Sequence, residues 1–450
     1  MNISNLSFSA LPPINVPFRY FISASLFLLL AVVLMLITGQ ELWSSRWHPN
    51  MLAITHLFTL GFISMVMMGA IYQFLPVIGG VGLSKPQRVA NIAHSLHVIG
   101  TLALTANFLW PSTTLKYSAV LALTVGFAYY LSAIARVLIK KLSQGYTIVG
   151  MRLALVCFVV VIFIGLLLLI KTDLLIQAQQ LAPSALSDLI QGYFFTDKSA
   201  TDLHALIGGF GWITVFIIAL SGQIIPMFHV TPKVPELIAK YLPSTLVLLL
   251  LVLIFASVES FIGQLIIGAI LVLICSYGLV LLYILSKRKR KVLDTSIQYW
   301  QFSSASLLVI SVLFFIPEQF YNSLLNANKA LLLAWMFGYF YIVSIIEAML
   351  LKIIPFLTYT HLQNLCLANF SALQYLPHMH ELLVKKHGQL LFKLHLCSCF
   401  LLILSIVLPA NYWLLCISML AEFCCLLFLM LRALHLYRLT LIKMNELSTE

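Results

Sequence analysis

The chain alternates between long apolar stretches and short polar ones. Twelve stretches hold about 20 mostly apolar residues each, enough to cross the hydrocarbon core of a bilayer. They lie at 20–38, 51–78, 89–110, 116–135, 151–170, 203–228, 242–258, 260–286, 299–316, 329–357, 390–408 and 411–433. No water in that core can satisfy backbone polar groups, so each stretch must be a helix. The pattern predicts an all-α, polytopic membrane protein of 12 transmembrane helices forming a single transmembrane domain over residues 1–450. Two longer connections interrupt it, an outer loop at 171–202 and a cytoplasmic loop at 358–389. Within the first, Asp173–Ile190 is weakly amphipathic and suits the membrane interface. Residues 1–17 are polar and Pro-containing, and the first apolar run starts the first span rather than a cleavable signal.

Composition agrees with that pattern. Apolar residues make up 62% of the chain and charged ones 9%, with a mean hydropathy of +1.03. A soluble domain is about a quarter charged, so ordinary soluble enzymes and disordered proteins are excluded. The net charge of +12 is a topology signal, because basic residues gather on the cytoplasmic side of short loops. With both termini inside, 21 of the 26 Lys and Arg fall on the inner side. The other five, Arg46, Lys116, Lys171, Lys198 and Lys329, fall outside. The expected topology is therefore multi-pass, with N and C termini cytoplasmic. The Lys287–Lys291 run anchors that topology beside anionic lipid and is no nucleic-acid patch. The eight cysteines form no CxxC pair and read as small apolar fillers.

The second and sixth spans share a pattern. His56-Leu-Phe-Thr-Leu-Gly61-Phe62 aligns without gaps with His204-Ala-Leu-Ile-Gly-Gly209-Phe210, both H-x4-G-F, and each span ends near a proline, Pro76 or Pro226. The tenth span carries a partial copy, Gly338-Tyr339 followed by Ile-Ile-Pro355-Phe, with Leu333 where the histidine would stand. One copy every four spans suggests three four-helix units about a pseudo-threefold axis.

An ionisable side chain inside a span is a functional candidate. His56 lies five residues into its span, about 8 Å below the outer end, and His204 opens the sixth span from the same side. Two helices can thus offer imidazoles to one metal or haem iron. At 100° per residue His204 shares its face with Gly208, Gly211 and Gly222 and, further down, His229. Such a flat groove accepts a planar macrocycle or a closely packed helix. The His56 face carries Leu60, Ile63, Met67 and Phe74. Against the ligand reading stands a buried, carbonyl-bonded histidine on a packing seam. His94 and His97, spaced i,i+3 at the inner end of the third span, share a face and suit a metal or an interfacial polar pair. His378, His380 and His387 lie in the cytoplasmic loop, and His48, His361, His395 and His435 near membrane boundaries. Glu347 and Glu422 lie deep in the hydrocarbon and are proton-relay candidates or helix-to-helix hydrogen bonders.

Twelve spans, cytoplasmic termini, a histidine near the outer end of span two, another in span six and traces of threefold repetition resemble subunit I of the haem–copper oxidases. The nearest likeness is to divergent subunit I-like bacterial membrane proteins, including the NnrS-type haem proteins linked to nitric oxide stress. His56–Pro76, His204–Pro226 and Gly338–His361 carry it. The resemblance implies that His56 is a low-spin haem ligand and that His204 falls on the span supplying a copper ligand. Two departures matter. Span seven lacks the adjacent histidine pair of the copper site, and span ten lacks the H-x-H that ligates both haems. A complete oxygen-reducing centre is not expected. What the resemblance leaves is haem b, copper or both, in electron transfer, nitric oxide response or metallocentre assembly, with a redox or oxidase-assembly partner. Two rivals stand beside it: a proton-coupled transporter without haem, and a non-catalytic oxidase accessory protein.

Overall fold

In a computed structural model of the chain, residues 11–140, 145–180, 199–289, 292, 294–321, 328–368 and 370–446 are described. Among them there is no strand. Twelve helices are long and apolar enough to cross a membrane. They are α1 (Asn15–Ser44), α2 (Pro49–Ile78), α3 (Pro86–Leu109), α4 (Thr113–Ile139), α5 (Tyr146–Lys171), α6 (Ala200–His229), α7 (Glu236–Phe255), α8 (Phe261–Ser286), α9 (Thr295–Phe315), α10 (Lys329–Leu367), α11 (Lys385–Val407) and α12 (Pro409–Glu446). Polar residues cap the starts of four of them, where free backbone N–H groups need partners. His48 precedes Pro49 and accepts from the Asn50 N–H at 3.2 Å. Ser260, Asp294 and Asn328 do the same for α8, α9 and α10. Large apolar side chains such as Leu26, Phe255, Phe261 and Phe400 face outward, as a lipid-facing surface requires.

The packing order repeats every four helices. The first helix of each group lies along the second: α1 on α2, α5 on α6, α9 on α10. The third lies on the fourth: α3 on α4, α7 on α8, α11 on α12. The fourth then meets the first of the next group, α4 on α5 and α8 on α9, and α12 returns to α1 and closes the ring. Inside the ring stand α2, α6 and α10. Within their most apolar stretches 72%, 72% and 89% of residues are buried, against 28–50% for the other nine. They converge on an apolar cavity of about 50 Å³ lined by Met67 and Ala70 of α2, Phe216 and Leu220 of α6, and Ile346 and Met349 of α10.

Each central helix contains an eight-residue π-helical run: Leu57–Ser64, Ile207–Thr214 and Met336–Val343. Such bulges insert a residue into an α-helix and cluster at functional sites. Pro76, Pro226 and Pro355 each follow the end of their run by 12 residues. This fixes the register of the repeat and corrects the sequence alignment by two positions. Gly61 pairs with Gly211 rather than Gly209, and the register position of His56 is held by Leu206 in α6 and Trp335 in α10. His204 instead precedes its run by three residues. Two polar side chains take up carbonyls within the runs: Thr214 donates to the Gly209 carbonyl at 2.8 Å and Ser344 to that of Phe340 at 2.7 Å.

The long connections are shorter than the hydropathy pattern suggested. The helix of α5 continues to Gln180, and α6 resumes from a helix starting at Ser199. Most of the amphipathic stretch, 181–190, lies outside the described residues. So do Lys198, Arg290 and Lys291. The helix of α10 runs on to Ala368, so the region read as a cytoplasmic loop is largely helical, with short turns at Phe370–Tyr375 and Met379–Leu382. Cys366, expected in a polar connection, is buried beside Leu362, Ala372 and Met444.

Candidate functional site

The first pair of predicted ligands comes together. The imidazoles of His56 and His204 lie with ring centroids 6.4 Å apart and planes inclined by 25°. Each is oriented through one nitrogen. His56 Nδ1–H donates to the Leu52 carbonyl, one turn back in its own helix, at 2.8 Å. His204 Nδ1–H donates across to the Val161 carbonyl of α5 at 3.0 Å. These bonds fix both tautomers and leave the Nε2 lone pairs free. Ligating histidines are held in this way, with the second N–H on a carbonyl. Metal–nitrogen bonds of about 2 Å set two opposed imidazole nitrogens about 4 Å apart, hence ring centroids roughly 6 Å apart. The observed centroid separation is of that size, with the two ring planes nearly parallel.

The surroundings are equally specific. Phe108 of α3 lies against His56 at 5.1 Å between centroids. Gly165 of α5 lies under His204, where a Cβ would stand 2.8 Å from the ring Cε1. Arg46, ahead of α2, holds Asp202 at the start of α6 through two hydrogen bonds of 2.5 and 3.1 Å. This clamp joins the two histidine-bearing helices at the end where the imidazoles meet.

The glycine groove drawn from a 100° helical wheel is not preserved, because the π run changes the angular step along α6. Gly208 faces Val161. Gly211 is buried against Cys157 and Leu250, so it brings α6 close to α5 and α7 rather than lining open space. Gly222 has nothing within 4 Å of its Cβ direction, but it lies 18 residues beyond His204, about 27 Å along a helix. Met67 lies in the wall of the axial cavity, about 16 Å along α2 from His56. Neither belongs to the His56–His204 site.

His94 and His97 meet different neighbours. His94 Nε2 pairs with Ser23 Oγ of α1 at 2.9 Å, and Tyr20 meets its ring edge-on. His97 is fully buried against Phe127 of α4, beside the Leu60 carbonyl. His229 is buried and approaches Ser296 Oγ at 3.5 Å. His378 and His380 are exposed, whereas His387 packs on Phe428.

The two membrane glutamates converge on a residue that hydropathy had placed at a boundary. Because α11 starts at Lys385, His395 lies ten residues inside it, about 15 Å deep. Its Nδ1 stands 2.8 Å from Glu422 Oε1 and 3.6 Å from Glu347 Oε2. Tyr299 donates to Glu347 Oε2 and Tyr339 to Glu422 Oε2, each at 2.6 Å. Ser344 Oγ is 2.7 Å from His395 Nε2. All three ionisable side chains are fully buried. Among the described residues this is the one group of three or more His, Cys, Asp or Glu side chains whose ligand atoms lie within 4.8 Å of one another.

No family model matches the chain, and no curated protein matches it.

Proposed function

We propose that this protein is an integral membrane metalloprotein built on the haem–copper oxidase subunit I plan. His56 and His204 hold a haem b iron or a copper ion near one end of the central helices. The observation that carries this reading is the pair itself. Two imidazoles from different helices lie with ring centroids 6.4 Å apart, the spacing of two ligands on one metal, and each is oriented by a carbonyl at Nδ1. A metal bound there supplies one-electron chemistry, suited to electron transfer, nitric oxide response or metallocentre assembly. The chain's own residues orient the ligands, through the Leu52 and Val161 carbonyls, and tie their helices together through Arg46 and Asp202. Oxygen reduction is not assigned, because α7 has no histidine pair and α10 carries Trp335 where α2 carries His56.

The closed ring of three four-helix groups around α2, α6 and α10 supports the subunit I plan. The 21-to-5 split of basic residues supports a bacterial inner membrane with both termini in the cytoplasm. The decisive test is a reduced-minus-oxidised spectrum with metal analysis of the purified full-length protein. The expected result is a Soret band or stoichiometric copper, lost in His56→Ala and in His204→Ala. A correctly folded, colourless protein free of iron and copper overturns the reading.

A further inference from the structure

We infer that Glu347, His395 and Glu422 form a second metal site, for one divalent first-row transition-metal cation, inside the third group of four helices. The hydrogen-bond directions lead there. Ser344 has one hydroxyl proton, and its oxygen lies 2.7 Å from the Phe340 carbonyl, which can only accept. That proton is therefore committed. At 2.7 Å from His395 Nε2, Ser344 Oγ must accept from an Nε2–H. The imidazole is thus fixed with Nε2 protonated, and Nδ1 points at Glu422 Oε1 and Glu347 Oε2.

Nδ1 and two carboxylates then face one another where no solvent reaches, with neither Lys nor Arg paired to them among the described residues. Two buried carboxylates without a compensating charge are strongly disfavoured, so positive charge must lie between these groups. One divalent ion neutralises both carboxylates at once. Ligands about 2.0–2.2 Å from one ion stand roughly 2.8–3.6 Å from each other, from octahedral to tetrahedral angles. The observed Nδ1-to-oxygen distances are 2.8 and 3.6 Å.

Two further features support an ion over protons alone. Glu347 Oε1 is fully buried and has no hydrogen-bond partner, a costly state for an oxygen that coordination relieves. The outer groups are also arranged as they are around bound metals. Ser344 takes the far N–H of the histidine, and the Tyr299 and Tyr339 hydroxyls donate to the carboxylates. One imidazole with two carboxylates suits Zn²⁺, Mn²⁺ or Fe²⁺ rather than a soft Cu⁺. Glu347 lies 12 residues beyond Trp335, the register position of His56, about 18 Å along α10. The two sites are therefore separate.

The test uses full-length protein purified from cells grown with added zinc or manganese, as wild type, His56→Ala/His204→Ala and Glu347→Gln/Glu422→Gln. Metal content per chain and melting temperature are measured before and after chelation and reloading with Zn²⁺ or Mn²⁺. The expected result is one zinc or manganese ion per chain in the wild type and in the histidine double variant, whatever iron or copper the wild type also holds, and at least a tenfold loss of that ion in the glutamine double variant. Reloading should raise the melting temperature only where the site is intact. If the glutamine variant does not fold, Mn²⁺ titration of the histidine double variant decides alone, with one site expected and none overturning the inference. Equal metal content in all three proteins overturns it too. So does a metal-free wild type whose infrared spectrum shows a protonated carboxyl that Glu347→Gln removes, since protons alone then fill the cluster. Because the histidine variant is measured separately, failure here is distinguishable from failure of the His56–His204 reading.

Discussion

His56 and His204 lie 6.4 Å apart although they occupy different positions of the helical repeat. His56 immediately precedes the π run of α2, while His204 stands three residues before the run of α6. The pair therefore belongs to the junction of the first and second groups and is not a product of threefold symmetry. The third group fills the matching position with Trp335, which packs on Trp43 and Phe58. Two of the three central helices thus carry a histidine near the start of their π run, and the third a tryptophan.

The geometry beneath His204 yields one prediction. A Cβ at Gly165 would lie 2.8 Å from the imidazole Cε1, closer than such contacts allow, so Gly165→Ala must push the ring away from the Val161 carbonyl. Metal or haem occupancy of the His56–His204 site should fall at least tenfold, by absorbance and metal analysis, with the fold retained. Full occupancy in this variant would show that the ring position is not set by α5.

The Arg46–Asp202 clamp gives a second prediction. It is a bidentate pair with side chains 37% and 13% exposed, so its contribution belongs at the upper part of the surface range, about 1 kcal/mol. Arg46→Ala should lower the melting temperature in detergent slightly. It should weaken metal retention more, because the helix ends that carry both histidines are released. The exchange Arg46→Asp with Asp202→Arg should recover part of both losses. An exchange no better than the single variants would mean that the clamp does not set the spacing of α2 and α6.

Much of the fold was legible because the bilayer leaves the chain so few options. Twelve apolar stretches could only be twelve helices, and the structure has twelve helices long and apolar enough to span. The prolines at 76, 226 and 355 marked the three central helices. The register between them was not legible, since hydropathy does not mark where a π run begins, and the H-x4-G-F motif matched α6 two positions away from the structural repeat. Depth was misjudged for the same kind of reason. His395 sits near the start of an apolar stretch, but the helix begins ten residues earlier in the polar sequence from Lys385. Glu347 and Glu422 stood out as isolated charges in apolar runs, but nothing along the chain revealed that α10, α11 and α12 bring them to one imidazole.

The last prediction concerns Lys352, five residues beyond Glu347 on α10, which pairs with Asp294 at the N-terminus of α9. Asp294 also accepts the Ser296 N–H at 3.0 Å. Burial raises the pKa of this carboxyl, but the Lys352 ammonium and its hydrogen bond, with His229 and the Ser296 N–H, more than offset that, so the net shift is downward from 3.8. A carboxyl held lower in the folded state than in the unfolded one binds protons more weakly when folded. Its stabilisation is complete above the unfolded value, about pH 4, and is lost as pH falls through the folded value. Lys352→Met should therefore melt below the wild type at pH 7, and the gap should narrow as pH is lowered from 5 toward 3. His229 faces both this carboxylate and the Lys352 ammonium, so the comparison is repeated in a His229→Gln background, where only the ion pair differs. A gap that stays constant across that range would assign the loss to helix packing by the lysine stem rather than to the ion pair.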